Sequence, residues 1–156
     1  MYIQVEKGKQ RRIKMELLVL SHGEMANGAV KALKMIAGHY GHVHGIGLYE
    51  EDDPRDFGMR IIDFFNQFDK ETEFMVFVDF LGGTPCNEVL KILSRENVTA
   101  IAGFNLAMLL DAYLKLSSQL LDKNSVDELI SIGKESITDL KLKYEEIINQ
   151  DNDSDF

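Results

Sequence analysis

The stretch Phe74–Asn87, FMVFVDFLGGTPCN, decides the fold. Phe74 to Val78 is a run of aromatic, β-branched and other apolar residues, long enough for a strand and too short for a helix of its own. It ends at Asp79, and Gly82–Gly83 follow as a break. Thr84 stands where an N-cap belongs and Pro85 where the first helical residue belongs. A helix is expected from there, with Val89, Leu90 and Leu93 on one face. A carboxylate ending a buried strand, then a glycine turn, then a helix N-terminus, are the parts from which open α/β sheets build ligand sites. Glycines let the backbone approach a ligand, and the free N–H groups and helix dipole favour an anion. The competing reading for Gly82, Gly83 and Thr84 is a tight turn with a capping threonine, since no phosphate-loop pattern is matched.

Upstream, the same architecture occurs once more. Met15–Leu20 is a short apolar run that ends at Ser21-His22-Gly23. Ala26, Ala29, Val30, Leu33 and Ile36 then recur at helical spacing, with Gly38 at the C-cap. This unit is strand, histidine, glycine, helix, with His22 in the place that Asp79 holds downstream. Residues 42–48 (HVHGIGL) alternate weakly and read as a further strand. Asp53 caps and Pro54 starts a helix with Phe57, Ile61, Phe64, Phe65 and Phe68 in one apolar stripe, which is core.

Downstream, Val98–Ala102 reads as the fourth strand, closed by Gly103. From Asn105 the helix LAMLLDAYLKL is apolar on nearly every side, which places it in the core or in an oligomer interface. The last helix is expected to start at a capping box of Ser125 and Glu128. Its continuous face would run through Val126, Leu129, Ile130, Gly133, Ile137, Leu140, Tyr144 and Ile147. The acidic tail 151–156 is expected to be disordered. Residues 1–14 are polar and basic without a sustained period and lack the apolar core of a signal peptide. They read as a disordered or non-native arm. Gln10–Arg12 could be CAA-AGG-AGG, a ribosome-binding site before Met15, in which case the arm is upstream sequence read as protein.

Strands alternating with helices predict an α/β fold with a mostly parallel four-stranded sheet and helices on both faces. A chain of 156 residues makes one domain. The net charge of −9 argues against nucleic acid as a partner. No apolar run reaches transmembrane length. The single cysteine excludes an internal disulfide and suits a reducing compartment. Cys86, near a helix start, reads as a packing residue because its neighbours supply no base.

In a parallel sheet the strand C-termini share one edge. His22 and Asp79 each follow a strand, so they belong to one candidate site in the crevice at that edge. The pair suggests three chemistries. A carboxylate can hold one ring nitrogen and leave the other nucleophilic. Ser21 could join an acyl-transfer triad, although no nucleophile elbow is present. A metal would need more ligands, and His39, His42 and His44 fit no recognised spacing and read as loop residues. A purely structural His22 is the remaining alternative. The anion-friendly helix start beside a nucleophilic imidazole favours phosphoryl transfer through a phosphohistidine, where positioning and electrostatics do most of the catalysis.

Three segments carry a family likeness: LLVLSHGEMANG at 17–28, FVDFLGGTPCN at 77–87 and IAGFNLAMLL at 101–110. The sequence resembles the enzyme IIA domain of the mannose–fructose–sorbose family of the bacterial sugar phosphotransferase system, with residues 15–150 as that domain. The resemblance implies that His22 takes a phosphoryl group on Nε2 from the phosphocarrier protein HPr. His22 would pass it to a IIB component on a separate chain, coupled indirectly to the membrane components IIC and IID. It implies that Asp79 holds Nδ1 and that the Thr84 hydroxyl lies near the phosphoryl group beside Gly82 and Gly83. It also implies a cytoplasmic protein, at times peripheral to the membrane, and a homodimer with a fifth strand exchanged between protomers. The residue pattern assigns no strand to 117–124. No cofactor or metal is expected. Two other roles fit the same likeness: a phosphodonor subunit for a dihydroxyacetone kinase, and a regulatory module that senses phosphorylation without passing it on.

Overall fold

A computed structural model describes residues 14–153. The elements follow in the order β1 (Met15–His22), α1 (Met25–Ala37), β2 (Val43–Leu48), α2 (Pro54–Asn66), β3 (Glu73–Val78), α3 (Gly83–Leu90), β4 (Val98–Ala102) and α4 (Leu106–Ser117). A 3-10 turn at Lys123–Ser125 leads to α5 (Val126–Glu135) and α6 (Leu140–Asp153). The four strands are all parallel, in the order β2-β1-β3-β4.

That order has a physical consequence. From β1 the chain moves one way across the sheet to β2, then back past β1 to β3 and on to β4. Right-handed crossovers therefore send α1 to one face and α2 and α3 to the other. The two cores agree. Leu17, Val19, Met75 and Phe77 pack with Leu33 of α1, Leu109 and Tyr113 of α4, and Leu129 of α5. The alternate residues Leu18, Leu20, Val76 and Val78 pack with Phe57, Ile61 and Phe65 of α2 and with Cys86 and Val89 of α3. Side chains alternate between faces along a strand, so β1 and β3, covered on both sides, are apolar throughout apart from their ends. Glu16 and Ser21 of β1 are the buried polar exceptions.

Most sequence expectations for single elements hold. Asp53 caps α2 by accepting from Arg55 N–H at 2.8 Å, with Pro54 in the first turn. Asn105 caps α4 by accepting from Met108 N–H at 3.0 Å. Its amide nitrogen also donates to the Gly133 carbonyl at 2.7 Å and ties α5 to α4. Helix α4 buries Met108, Leu109, Ala112, Tyr113 and Leu116, while Leu106 and Leu114 are exposed.

Two expectations fail at helix ends. Thr84 does not cap α3: the helix begins at Gly83, Gly82 holds the cap position without a side-chain bond, and Thr84 and Pro85 lie inside the first turn. The glycine pair makes the turn itself, with φ of +95° at Gly82 and +75° at Gly83. The helix also stops at Leu90, so its buried face is Pro85, Cys86 and Val89, and Leu90 and Leu93 are exposed. The second failure is the long last helix. The capping box belongs to Asp122 and Ser125 on the 3-10 turn, not to Ser125 and Glu128. The expected continuous helix breaks between Glu135 and Leu140. Asp139 restarts it by accepting from the N–H groups of Lys141 and Leu142 at 2.9 and 3.3 Å. Past the break the apolar residues Ile137, Leu140, Tyr144 and Ile147 face solvent.

Residues 118–122, within the span where an exchanged strand was in question, form no strand in the single chain. Helix α6 continues to Asp153, into the stretch expected as an acidic tail; residues 154–156 and 1–13 lie outside the described residues. Lys14, the last residue of the expected arm, accepts from Glu73 N–H through its carbonyl and pairs with Asp69 at 3.0 Å.

Candidate functional site

The strand order makes β1 and β3 neighbours, with Leu20 opposite Val78. They leave the sheet in opposite senses, β1 toward α1 on one face and β3 toward α3 on the other. This is the topological switch point, where the loops diverge and open a crevice. His22 ends β1 and Asp79 follows β3 by one residue. Two residues 57 positions apart meet there.

The contact is double. Asp79 Oδ2 accepts from the His22 backbone N–H at 2.8 Å and lies 2.7 Å from His22 Nδ1. Asp79 Oδ1 accepts from the Phe80 N–H at 2.9 Å. The Asp79 side chain is only 8% exposed, while that of His22 is 44% exposed. Burial pushes the Asp79 carboxyl upward. The hydrogen bonds from the His22 backbone and ring and from the Phe80 N–H outweigh it, helped by the charge of His22, and the net effect is a carboxyl held below its ordinary value. Asp79 therefore stands as an acceptor for Nδ1–H, which fixes the tautomer and leaves Nε2 with its lone pair.

Nε2 points at the start of α3. A Cβ placed on Gly83 would lie 3.1 Å from His22 Cε1 and 3.4 Å from Nε2, so a side chain at this position would crowd the free nitrogen. The φ of +75° there also disfavours any other residue. Gly82 contributes its left-handed backbone to the same turn. Thr84 sits half-buried in the first turn. No side chain caps α3, and an uncapped helix start is electrostatically suited to an anion. The sequence-derived set of His22, Asp79, Gly82, Gly83 and Thr84 is thus gathered at one edge.

The competing chemistries separate here. Ser21 is fully buried, and its Oγ accepts from Ala26 N–H at 2.7 Å, so it bonds the start of α1 rather than serving as a nucleophile. His42 lies in the turn before β2, whereas His44 is within β2 and not a loop residue, and both rings hold the buried carboxylate of Glu16 near the opposite end of the sheet. His39 is exposed in the loop after α1. Among the described residues no group of three His, Cys, Asp or Glu side chains is arranged to hold a metal ion. Sequence reasoning missed two residues. Phe80 stacks on the His22 ring, with centroids 5.2 Å apart and planes 18° apart; its signal was an aromatic residue directly after a strand-ending carboxylate. Glu16, a charge inside an apolar strand, was the signal for the second histidine cluster.

Residues 16–130 match the family described as PTS system fructose IIA component. The chain belongs to this family of sugar phosphotransferase components. Solved structures agree with the assignment. The phosphotransferase system component EIIA from Streptococcus agalactiae is 27% identical, with a TM-score of 0.71 over 82% of this chain and 98% of that one. The PTS IIA protein associated with the fucose utilization operon from Streptococcus pneumoniae is 25% identical, with a TM-score of 0.74 over 85% and 97%. The mannose/sorbose specific IIA subunit from Enterococcus faecalis, at 23% identity, shares the fold with a TM-score of 0.68 over 81% and 95%. As a IIA component the chain has a role in the sugar phosphotransferase system. No helix among the described residues is long and apolar enough to cross a membrane.

Proposed function

We propose that His22 is a phosphoryl carrier: Nε2 accepts a phosphoryl group from phospho-HPr and hands it to a IIB component on another chain, for coupled sugar uptake and phosphorylation. The observation that carries this reading is the His22 ring itself, bound to Asp79 through Nδ1 and open at Nε2 toward Gly83. In the forward step the Nε2 lone pair attacks phosphorus while the donor's N–P bond breaks and its electron pair returns to the donor ring. The proton on Nδ1 stays in place. The His22 ring then carries positive charge, which the Asp79 carboxylate offsets. The Thr84 hydroxyl and the leading N–H groups of α3 receive the phosphoryl oxygens. The second step is the same displacement with the IIB side chain as attacking group.

The partners follow from that chemistry: HPr as donor, a separate IIB chain as acceptor, and IIC and IID only through IIB, in the cytoplasm. We propose a homodimer as the working form, since α4 exposes Leu106 and Leu114 beside its buried face; a monomer in sedimentation at micromolar concentration would overturn this part. The carrier reading is tested with phosphoenolpyruvate, enzyme I and HPr, followed by candidate acceptors. The expected product is an acid-labile, alkali-stable phosphate on His22 that a IIB protein discharges. Label that a dihydroxyacetone kinase discharges instead, or that no acceptor removes, would refute it.

A further inference from the structure

Phe80 is held against the reacting ring on two sides of its structure. Its backbone N–H donates to Asp79 Oδ1, and its side chain lies nearly parallel to the His22 imidazole at 5.2 Å. The Phe80 side chain is otherwise unusual in its setting, an aromatic ring in a loop with half of its surface in water. A Cβ on Gly83 would lie 3.2 Å from Phe80 Cζ and 3.1 Å from His22 Cε1, pressing on both rings at once. Glycine at 83 therefore keeps the stacked pair together while leaving Nε2 open.

We propose that Phe80 is a positioning residue for phosphoryl transfer: by stacking on His22 it sets the plane of the imidazole, and so the direction of the Nε2 lone pair. The proposal rests on His22 being the carrier. Asp79 holds the ring at one atom, Nδ1, so small coupled rotations about Cα–Cβ and Cβ–Cγ can still tilt the ring plane while that contact is kept. The lone pair of Nε2 lies in the ring plane, so a tilt turns it away from the donor phosphorus. In-line displacement depends on that direction, and small misplacements of a reacting group cost rate steeply. An aromatic face is suited to the task, because offset stacking prefers parallel planes and excludes water from one side of the ring. In the step itself the Nε2–P bond forms as the donor's N–P bond breaks; Phe80 gains and loses no atom or electron.

The test uses the full chain with phospho-HPr as donor, in rapid-quench assays of the wild type, Phe80→Leu and Phe80→Tyr. Leucine keeps the apolar bulk without the aromatic face, and tyrosine restores the face. The rate at saturating donor is expected to fall about tenfold in Phe80→Leu, with the half-saturating donor concentration changed less than about twofold, and to recover in Phe80→Tyr. Carbon-bound ring protons of His22 should move downfield in Phe80→Leu as the ring current is lost, and return in Phe80→Tyr. A Phe80→Leu protein that transfers at the wild-type rate, or that changes only its half-saturating concentration, would overturn the proposal. So would the absence of nuclear Overhauser contacts between the Phe80 and His22 rings in the wild type, a measurement that needs no variant to fold. A wild type that takes up no phosphate at His22 refutes the carrier reading itself, whereas wild-type transfer with an indifferent Phe80→Leu refutes only the role of Phe80.

Discussion

Two histidine–carboxylate clusters lie near opposite ends of the same strand. At the C-terminal end of β1, His22 meets Asp79 at 2.7 Å; near its start, Glu16 meets both His42 and His44 at 2.7 Å. The pair distances are the same and the settings are not. Glu16 spends one oxygen on each ring, Oε1 on His42 Nδ1 and Oε2 on His44 Nε2. His44 is further enclosed by the rings of Phe64 and Phe68, at 4.9 and 5.9 Å, whereas His42 touches Tyr40 at 4.9 Å and is as open to water as His22. Strand N-termini in a parallel sheet offer no diverging loops and no helix start. At the other end the ring has an open nitrogen, a glycine turn and the head of α3. A histidine held by a carboxylate is therefore not in itself a site; its place relative to the switch point makes it a candidate.

Substitution of the histidines is the sharpest way to break this contrast. His22→Ala is expected to abolish phosphate uptake from phospho-HPr, while His42→Ala and His44→Ala retain it, as measured by labelling and peptide mapping. Label on His42 or His44, or its survival in His22→Ala, would put the chemistry at the wrong end of the sheet.

Next in size is Asp79→Asn. The amide can still accept from Nδ1–H, but it lacks the charge that offsets the phosphorylated ring, so transfer should slow by about a hundredfold. Its nitrogen must also turn toward one of the three donors that the carboxylate now satisfies, which costs stability of about 1 kcal/mol. Stopped-flow transfer and urea unfolding separate the two effects; a wild-type transfer rate would show that His22 and Asp79 are not functionally coupled.

Glu16→Ala should give the opposite profile. The loss of a buried carboxylate that holds two rings is expected to cost roughly 1–3 kcal/mol in urea unfolding, with the rate of phosphoryl transfer unchanged. A slowed transfer at full occupancy of the folded state would show that the two ends communicate.

The smallest effect is on pH dependence. The Asp79 carboxyl is lowered in the folded protein, so in acid the unfolded chain binds its proton first and stability rises with pH across that interval. The contribution is complete above the ordinary carboxylate range and is lost as pH falls through the folded value, below about pH 4. Asp79→Asn should therefore flatten the acid limb of a stability–pH curve measured by thermal melting. An unchanged acid limb would mean that other carboxylates carry it.

Much of this organisation was legible in the chain. Period and punctuation gave four strands, and the Asp53–Pro54 pair marked the start of α2, because these signals act within a few residues of sequence. The parallel alternation of strand and helix also put His22 and Asp79 on one edge. Where local signals competed, the reading failed. Thr84 was expected to cap α3 after a glycine break, but the glycines themselves open the helix, because their positive φ values build the turn without a side-chain cap. The apolar spacing continued past Glu135, yet Asp139 restarted the helix in a direction that leaves its apolar residues in water.

Residue order alone places a histidine and an aspartate at the ends of two strands in one parallel sheet. The packed fold decided that those strands are neighbours, with Leu20 opposite Val78, and that Asp79 reaches both the backbone and the ring of His22. It likewise decided that Phe80 covers one face of that ring and that Glu16 occupies His42 and His44. Strand order is set by the joint burial of both sheet faces and by the handedness of the crossovers. Those are properties of the whole packed chain, and no short window of residues contains them.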